Sequence, residues 1–302
     1  MPKPEGRLLE DKVAVVLGAS SGIGWAIAER FAEHGAKVVV AARRLENLEK
    51  LAAKIDGVPV RCDGSDFDEL AALAATTVER FGGVDVAVNS AGLNLPSPIK
   101  DITPELLHDV AGVQFFGFYY FMRHFCNAMA ESGGGSLVNV TSATAIAVPV
   151  SLAPYSGCKA GINFVTKIAA REYGPDQVRV NALAPSFVPT AMNGFGGMSP
   201  IDDCRVEIDE EVPIAKAFLE ETALDRIVTV DDCADVAVFL ASDLSRSVTG
   251  TIVPVDGGNH LARLVADQLD PTAAHGADVN SPAWSVAAQD RAHQAKASRA
   301  IR

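Results

Sequence analysis

Tyr155 and Lys159 stand four residues apart in a helix-compatible run, Ala153 to Tyr173, so their side chains share one face. That pairing has a chemical use. A phenol titrates near 10 and is a poor base at neutral pH; lowering it by about three units takes roughly 4 kcal/mol of preferential phenolate stabilisation, which an adjacent ammonium supplies. The spacing alone carries little weight, because tyrosine and lysine at helical spacing are commonly surface residues. Ser142 sharpens it: it lies thirteen residues before Tyr155, just beyond the apolar run Leu137 to Thr141, and ligands of open α/β sheets bind outside the carboxyl ends of strands. A hydroxyl there holds a substrate oxygen while the tyrosine proton moves; the plain alternative is a loop serine or helix cap.

A second constellation lies near the N-terminus. Gly18-Ala19-Ser20-Ser21-Gly22-Ile23-Gly24 follows the apolar run Val13 to Leu17 and precedes the amphipathic stretch Trp25 to His34. In that setting Gly18 permits a tight turn, Gly22 lets backbone approach a pyrophosphate and Gly24 allows close helix-on-strand packing, while the helix N-terminus turns unpaired N–H groups toward an anion. The spacing is G-x-x-x-G-x-G. At the end of the second apolar run, where an acidic residue would accept hydrogen bonds from a ribose and repel a 2′-phosphate, the chain has Ala42 followed by Arg43 and Arg44. A guanidinium fork pairs bidentately with phosphate, so NADP(H) is expected over NAD(H), which stays possible. The competing reading is a solvated charge pair before a helix.

These groups need a scaffold, and the chain carries its pattern. Seven short, nearly continuously apolar runs alternate with helix-like segments: Val13 to Leu17, Lys37 to Ala41, Pro59 to Cys62, Val84 to Asn89, Ser136 to Thr141, Val178 to Leu183 and Thr251 to Val255. Gly35 and Gly82 follow helical stretches, Gly174-Pro175 ends another, and Thr103-Pro104-Glu105 reads as an N-cap with proline at N1. The expected fold class is α/β: a doubly wound, parallel, seven-stranded Rossmann-type sheet with helices on both faces. Residues 8–260 form one catalytic domain in this reading. Within it, 187–226 is a substrate-loop insertion, and 261–302 is a C-terminal appendage.

Bulk properties narrow the partners. A formal net charge of -12 disfavours phosphate backbones and anionic lipid, so neither nucleic acid nor membrane is expected. The polar stretch Met1 to Asp11 does not read as a secretory signal, and Val110 to Met122 is too short to span a bilayer, so a cytoplasmic location is expected. Five cysteines without a C-x-x-C pair argue for reduced thiols, and six scattered histidines for no metal site.

Together the residues resemble the short-chain dehydrogenase/reductase family, in its shorter single-domain branch, over about Leu8 to Gly258. The resemblance implies Tyr155 as acid or base, Ser142 positioning substrate, and Lys159 both lowering the tyrosine pKa and binding ribose. It implies a cofactor held by Gly18 to Gly24, with Asp63 and Gly64 beside adenine and Asn89, Ala91 and Gly92 supporting the sheet. Asn181-Ala182-Leu183-Ala184-Pro185 with Val188 and Thr190 resembles the nicotinamide loop, Val255-Asp256-Gly257-Gly258 the closing strand, and a homotetramer or dimer is implied as well. Three positions depart from the family pattern: Leu17 for threonine, Ser186 for glycine, and Gln114 where an asparagine commonly anchors a relay water. Glutamine offers the same amide one methylene further out, so Gln114 is expected to hold that water with altered geometry, or else to pack without catalytic duty.

The aromatic run Phe115, Phe116, Phe118, Tyr119, Tyr120 and Phe121 reads as packing and assembly. Phe187, Val188, Met192, Phe195 and Met198 would wall an apolar substrate pocket. The leading reading is an NADP(H)-dependent oxidoreductase moving hydride between nicotinamide and a carbonyl or secondary alcohol. Two others are a catalytically weak NADP(H)-binding sensor or regulator, motivated by Gln114, and an oxoacyl-thioester reductase, against which the acidic insertion counts.

Overall fold

The computed structural model describes residues 6–147, 149–190, 192 and 213–261. Contacts divide the chain into Met1–His260 and Leu261–Arg302, and beyond Leu261 the second unit lies outside the described residues. So do Gly194, Phe195, Gly196, Gly197, Met198 and the acidic stretch from Asp202 to Glu211.

Seven strands alternate with helices: β1 (Val13–Leu17), α1 (Gly22–Glu33), β2 (Lys37–Ala42), α2 (Leu45–Ile55), β3 (Val58–Arg61), α3 (Phe67–Phe81), β4 (Val86–Asn89), α4 (Pro104–Ala111), α5 (Gly117–Glu131), β5 (Gly135–Val140), α6 (Ala153–Tyr173), β6 (Val178–Pro185), α7 (Pro213–Glu221), α8 (Val230–Ala241) and β7 (Ile252–Val255). All neighbours pair in parallel, in the order β3-β2-β1-β4-β5-β6-β7. The apolar runs set this outcome, because β-branched stretches buried on both faces suit a sheet covered twice. Strand ends differ from the sequence expectation by one or two residues. Cys62 and Thr141 fall just outside β3 and β5, while β6 runs on to Pro185 because Ser186 N still donates to Val255 O (3.2 Å).

Alternate residues of each strand feed two cores. Ala14, Val16, Val38, Val40, Val86 and Val88 pack with Phe31 of α1, Leu48 and Leu51 of α2 and the apolar face of α8. Val15, Leu17, Val39, Ala41, Ala87 and Leu137 meet Leu70 and Leu73 of α3, Phe118, Phe121 and Phe125 of α5, and Ile162 of α6. The caps agree with the sequence: Thr103 Oγ1 accepts from Leu106 N (3.3 Å) with Pro104 behind it, and Gly82 closes α3 at φ 86°.

Between α4 and α5 the helix widens into a π turn, Gly112–Phe116. Such a turn carries one residue more than the α repeat, costs stability, and is frequent at functional sites. It divides the aromatic run. Phe118 and Phe121 are wholly buried, whereas Phe116 and Tyr119 are 47% and 41% exposed. Gly117, where the α repeat resumes, has its Cα against the carbonyl of Gly64, and a Cβ there would overlap that oxygen. The obstacle is backbone and cannot rotate away, so Gly117→Ala is expected to lose about 2 kcal/mol despite alanine's better helix propensity. In thermal melts that is a fall of roughly 4–8 °C.

Candidate active site

The strand order reverses at the β1–β4 pair, which makes the crevice beyond their carboxyl ends the expected ligand site. Gly18 (φ 83°) turns the chain out of β1, and a Cβ there would come within 2.5 Å of the Ser90 and Ala91 backbone. Gly24 seats α1 against the same turn, where a Cβ would overlap the Gly18 carbonyl. Gly22 (φ 57°) faces Thr190, whose Cγ2 would lie 3.3 Å from an added Cβ. Loops from three strands thus converge on the α1 N-terminus, leaving only glycine-wide clearance.

A cleft of about 900 Å³ runs from this cradle to the serine, tyrosine and lysine. Ser20, Ser21, Ile23, Arg43, Arg44, Asp63 and Gly64 border one part of it; Ala91, Gly92, Gln114, Pro185, Val188 and Thr190 border the rest. Gly24 and Asn89 are absent from its wall. Asn89 acts from behind: its Oδ1 accepts from Ala91 N (3.1 Å), shaping the turn after β4, and its buried Nδ2 has no partner among the described residues.

The two arginines differ. Arg44 is spent on the cradle, donating to Ser20 Oγ (2.9 Å) and Ser21 Oγ (2.7 Å). Arg43 is exposed on the cleft wall, and its charge reaches Asp63. Burial pushes the Asp63 carboxyl up, but bonds from Ser65 N (2.9 Å) and Oγ (2.7 Å), with the charges of Arg43 and Arg61, outweigh it and hold the group below the usual carboxylate range. The sequence reading missed Asn47, a buried amide that donates to Ser20 O (3.1 Å). Its only signal was a polar residue on the buried face of an amphipathic helix.

At the other end Ser142 leaves β5 in extended conformation and accepts from Thr144 N (3.2 Å) and Thr144 Oγ1 (3.0 Å). Both bonds end on its oxygen, which leaves its own proton uncommitted, and the Ser142 hydroxyl lowers the phenol pKa. Burial outweighs that bond and leaves Tyr155 above its ordinary value. Lys159, 2% exposed, donates to Val140 O (2.8 Å), and burial pulls its ammonium from 10.5 down to about 7, opposed weakly by Cys158. Desolvation is the dominant influence on both groups. The resting pair is therefore a protonated phenol beside a weakly held cation.

Gln114 lies in the π turn, fully buried. Its Nε2 donates to Leu93 O (2.8 Å), tying the turn to the loop after β4, and its Oε1 has no partner among the described residues. Asn94 Oδ1, on that loop, is likewise unpartnered, and both residues border the cleft. Among the apolar wall residues expected from sequence, Phe187, Val188 and Met192 face the cleft. Phe195 and Met198 lie outside the described residues. Phe218 of α7 stacks on Phe187 (centroids 4.7 Å, 19°), a wall the sequence did not announce because α7 lies far along the chain. Among the described residues, no group of three or more His, Cys, Asp or Glu is placed to hold a metal, and no helix is long and apolar enough to cross a membrane.

Residues 18–260 match a family model described as enoyl-(acyl carrier protein) reductase. The chain belongs to the short-chain dehydrogenase/reductase family. It is 36% identical over 260 residues to an uncharacterised oxidoreductase of Mycobacterium bovis, covering 84% of this chain and 99% of that one. It is 36% identical over 256 residues to versicolorin reductase 1 of Aspergillus parasiticus, covering 83% and 97%. A solved 7α-hydroxysteroid dehydrogenase, complexed with NADH and 7-oxo glycochenodeoxycholic acid, superposes with a TM-score of 0.74 at 29% identity, covering 84% of this chain and 96% of that one. This short-chain dehydrogenase/reductase is accordingly an oxidoreductase acting on CH–OH or C=O groups.

Proposed function

We propose that the enzyme is an NADP(H)-dependent reductase of ketones, or the corresponding secondary-alcohol dehydrogenase, working in the cytoplasm as a homo-oligomer. The observation that carries this reading is the single cleft joining the glycine cradle to Ser142, Tyr155 and Lys159. The cradle suits a dinucleotide: Gly18 packs so closely on the Ser90 and Ala91 backbone that no side chain fits, and Gly18, Ser20, Ser21, Gly22 and Ile23 at the start of α1 line the cleft. In this reading Gly18, Ser20, Ser21, Gly22 and Ile23 hold the pyrophosphate, Asp63 and Gly64 the adenine, Arg43 the 2′-phosphate while Arg44 braces the cradle through Ser20 and Ser21, and Pro185, Val188 and Thr190 the nicotinamide. When bound, the cofactor supplies or accepts hydride.

Ser142 holds the carbonyl oxygen of the substrate, and Tyr155 donates its proton to that oxygen. Burial favours this direction, since it keeps the phenol protonated. Lys159 holds the ribose and lends positive charge to the phenolate that remains. Gln114 Oε1, a buried acceptor without a partner among the described residues, is able to anchor a relay water at the cleft. Homo-oligomerisation is supported by apolar residues exposed on neighbouring helices, Tyr119 on α5 and Phe164 and Ile168 on α6. The four described cysteines are all unpaired, which suits a reducing compartment.

Hydride transfer to a panel of steroid, aryl and sugar ketones and acyl thioesters, with NADPH and NADH compared, tests the reading. Ketone turnover with NADPH favoured is expected. Arg43→Ala should weaken NADPH binding about tenfold and leave NADH binding unchanged, since one guanidinium–phosphate contact is worth roughly 1–2 kcal/mol. Equal loss for both nicotinamides would remove the phosphate assignment.

A further inference from the structure

Lys159 has three N–H donors and one carbonyl partner, Val140 O, in a site 2% exposed. Besides the cleft that Lys159 borders, an aromatic ring lies against the ammonium. Lys159 Nζ stands 4.3 Å from the centroid of Phe118, and 5.6 Å from that of Tyr155. The position of Phe118 is tightly set. It follows Gly117, whose Cα rests on the Gly64 carbonyl, and it is fully buried in the cluster with Phe121, Phe125 and Ile162.

We propose that Phe118 is a positioning residue for the lysine: its ring face seats the Lys159 ammonium opposite the Val140 carbonyl and helps it keep its charge where water is excluded. This rests on the part assigned to Lys159 above. The physical basis is the negative face of the aromatic quadrupole, which attracts a cation most strongly when both are desolvated. A core that needed only volume here would be served equally by leucine or methionine, neither of which offers a charged face. The neighbouring titratable groups are Tyr155 and Cys158, on the lysine's own helix. Of the charges on elements packed against α6, namely Glu105, His108 and Asp109 on α4, Arg123, His124 and Glu131 on α5, Asp176 in the turn after α6 and Arg179 on β6, none contributes to the lysine's shift. Burial therefore opposes the cation with little relief from other charges, which leaves the ring as the neighbour able to supply it.

Fluorinated phenylalanines at position 118 separate electrostatics from packing, because they nearly keep the shape while draining the ring face. The ligand-free full chain is made with phenylalanine, 4-fluorophenylalanine or 3,4,5-trifluorophenylalanine at 118. Carbamylation of Lys159 by cyanate, which reports the neutral amine, is followed against pH by mass spectrometry. The half-point should move down in step with fluorination, by about half to one pH unit for the trifluoro ring. In ketone reduction the alkaline limb of kcat/KM should move the same way. A half-point unmoved across the series, with unchanged melting temperatures, overturns the proposal. A graded half-point without turnover by any of the three proteins upholds the seat and overturns the oxidoreductase mechanism assigned to the site.

Discussion

Tyr155→Phe should lower kcat for ketone reduction by about 10³-fold or more while leaving nicotinamide affinity within about threefold. Two observations lead there. Ser142 Oγ is held by Thr144 N and Thr144 Oγ1 and lowers the phenol pKa, and of the two hydroxyls the phenol is the far stronger acid, so it is the source of the proton meant for a substrate oxygen. General acid catalysis by a positioned group is worth roughly 10²–10⁴-fold, and here the lost hydroxyl also removes an orienting bond to the serine. The ring itself stays, so the cleft keeps its shape and dinucleotide binding is spared. The direction of the reaction adds a pH signature. Burial holds the phenol above its ordinary value, so alcohol oxidation, which needs phenolate, should climb with pH through the neutral range. Fluorescence titration with NADPH and stopped-flow turnover on the two proteins measure both quantities. Retention of a tenth of the wild-type kcat would remove Tyr155 from the acid role.

Lys159→Met should abolish turnover and yet make the ligand-free protein more stable. The lysine titrates at about 7 in the fold and 10.5 when unfolded, with burial as the dominant cause. At pH 7 the unfolded chain binds the extra proton more readily, and the linkage amounts to about 4 kcal/mol of destabilisation, which methionine of similar reach removes. The expected gain is roughly 5–10 °C in melting temperature. The penalty is full below pH 7 and fades as pH rises toward 10.5, because stability increases with pH wherever the unfolded state holds more protons. The gap between variant and parent should therefore narrow on going from pH 7 to pH 10. A gap that stays constant, or a variant that melts lower at pH 7, would show that the buried cation is already compensated in the ligand-free chain.

Much of the architecture was legible because it depends on short-range regularities. β-Branched runs, glycines after helices and a threonine-proline start each encode local geometry, and all seven strands fall where the apolar runs lie. The serine, tyrosine and lysine could be read for the same reason: a helix period brings Tyr155 and Lys159 to one face, and a strand end places Ser142 nearby. Less legible were features set by contacts remote in sequence. The division of labour between Arg43 and Arg44 depends on where Ser20 and Ser21 lie in space, and no spacing reveals that Arg44 is engaged by the cradle. The state of the lysine depends on desolvation by elements remote in sequence, so the suppressed ammonium could not be read from the spacing. Gln114 illustrates both limits. Its unusual identity was visible, but the π turn that buries it and the carbonyl of Leu93 that takes up its amide were not.

The extra residue in the Gly112–Phe116 turn shifts the helix phase, so everything after it is rotated by roughly 100° relative to what comes before. Two obligations on one rod are thereby uncoupled. Residues upstream turn a different face to their neighbours, α4 packing on α6, while Phe118, Phe121 and Phe125 keep their seam against the sheet. Gln114, lodged at the dislocation itself, answers to both sides, which makes it the position where a change in one duty is felt by the other.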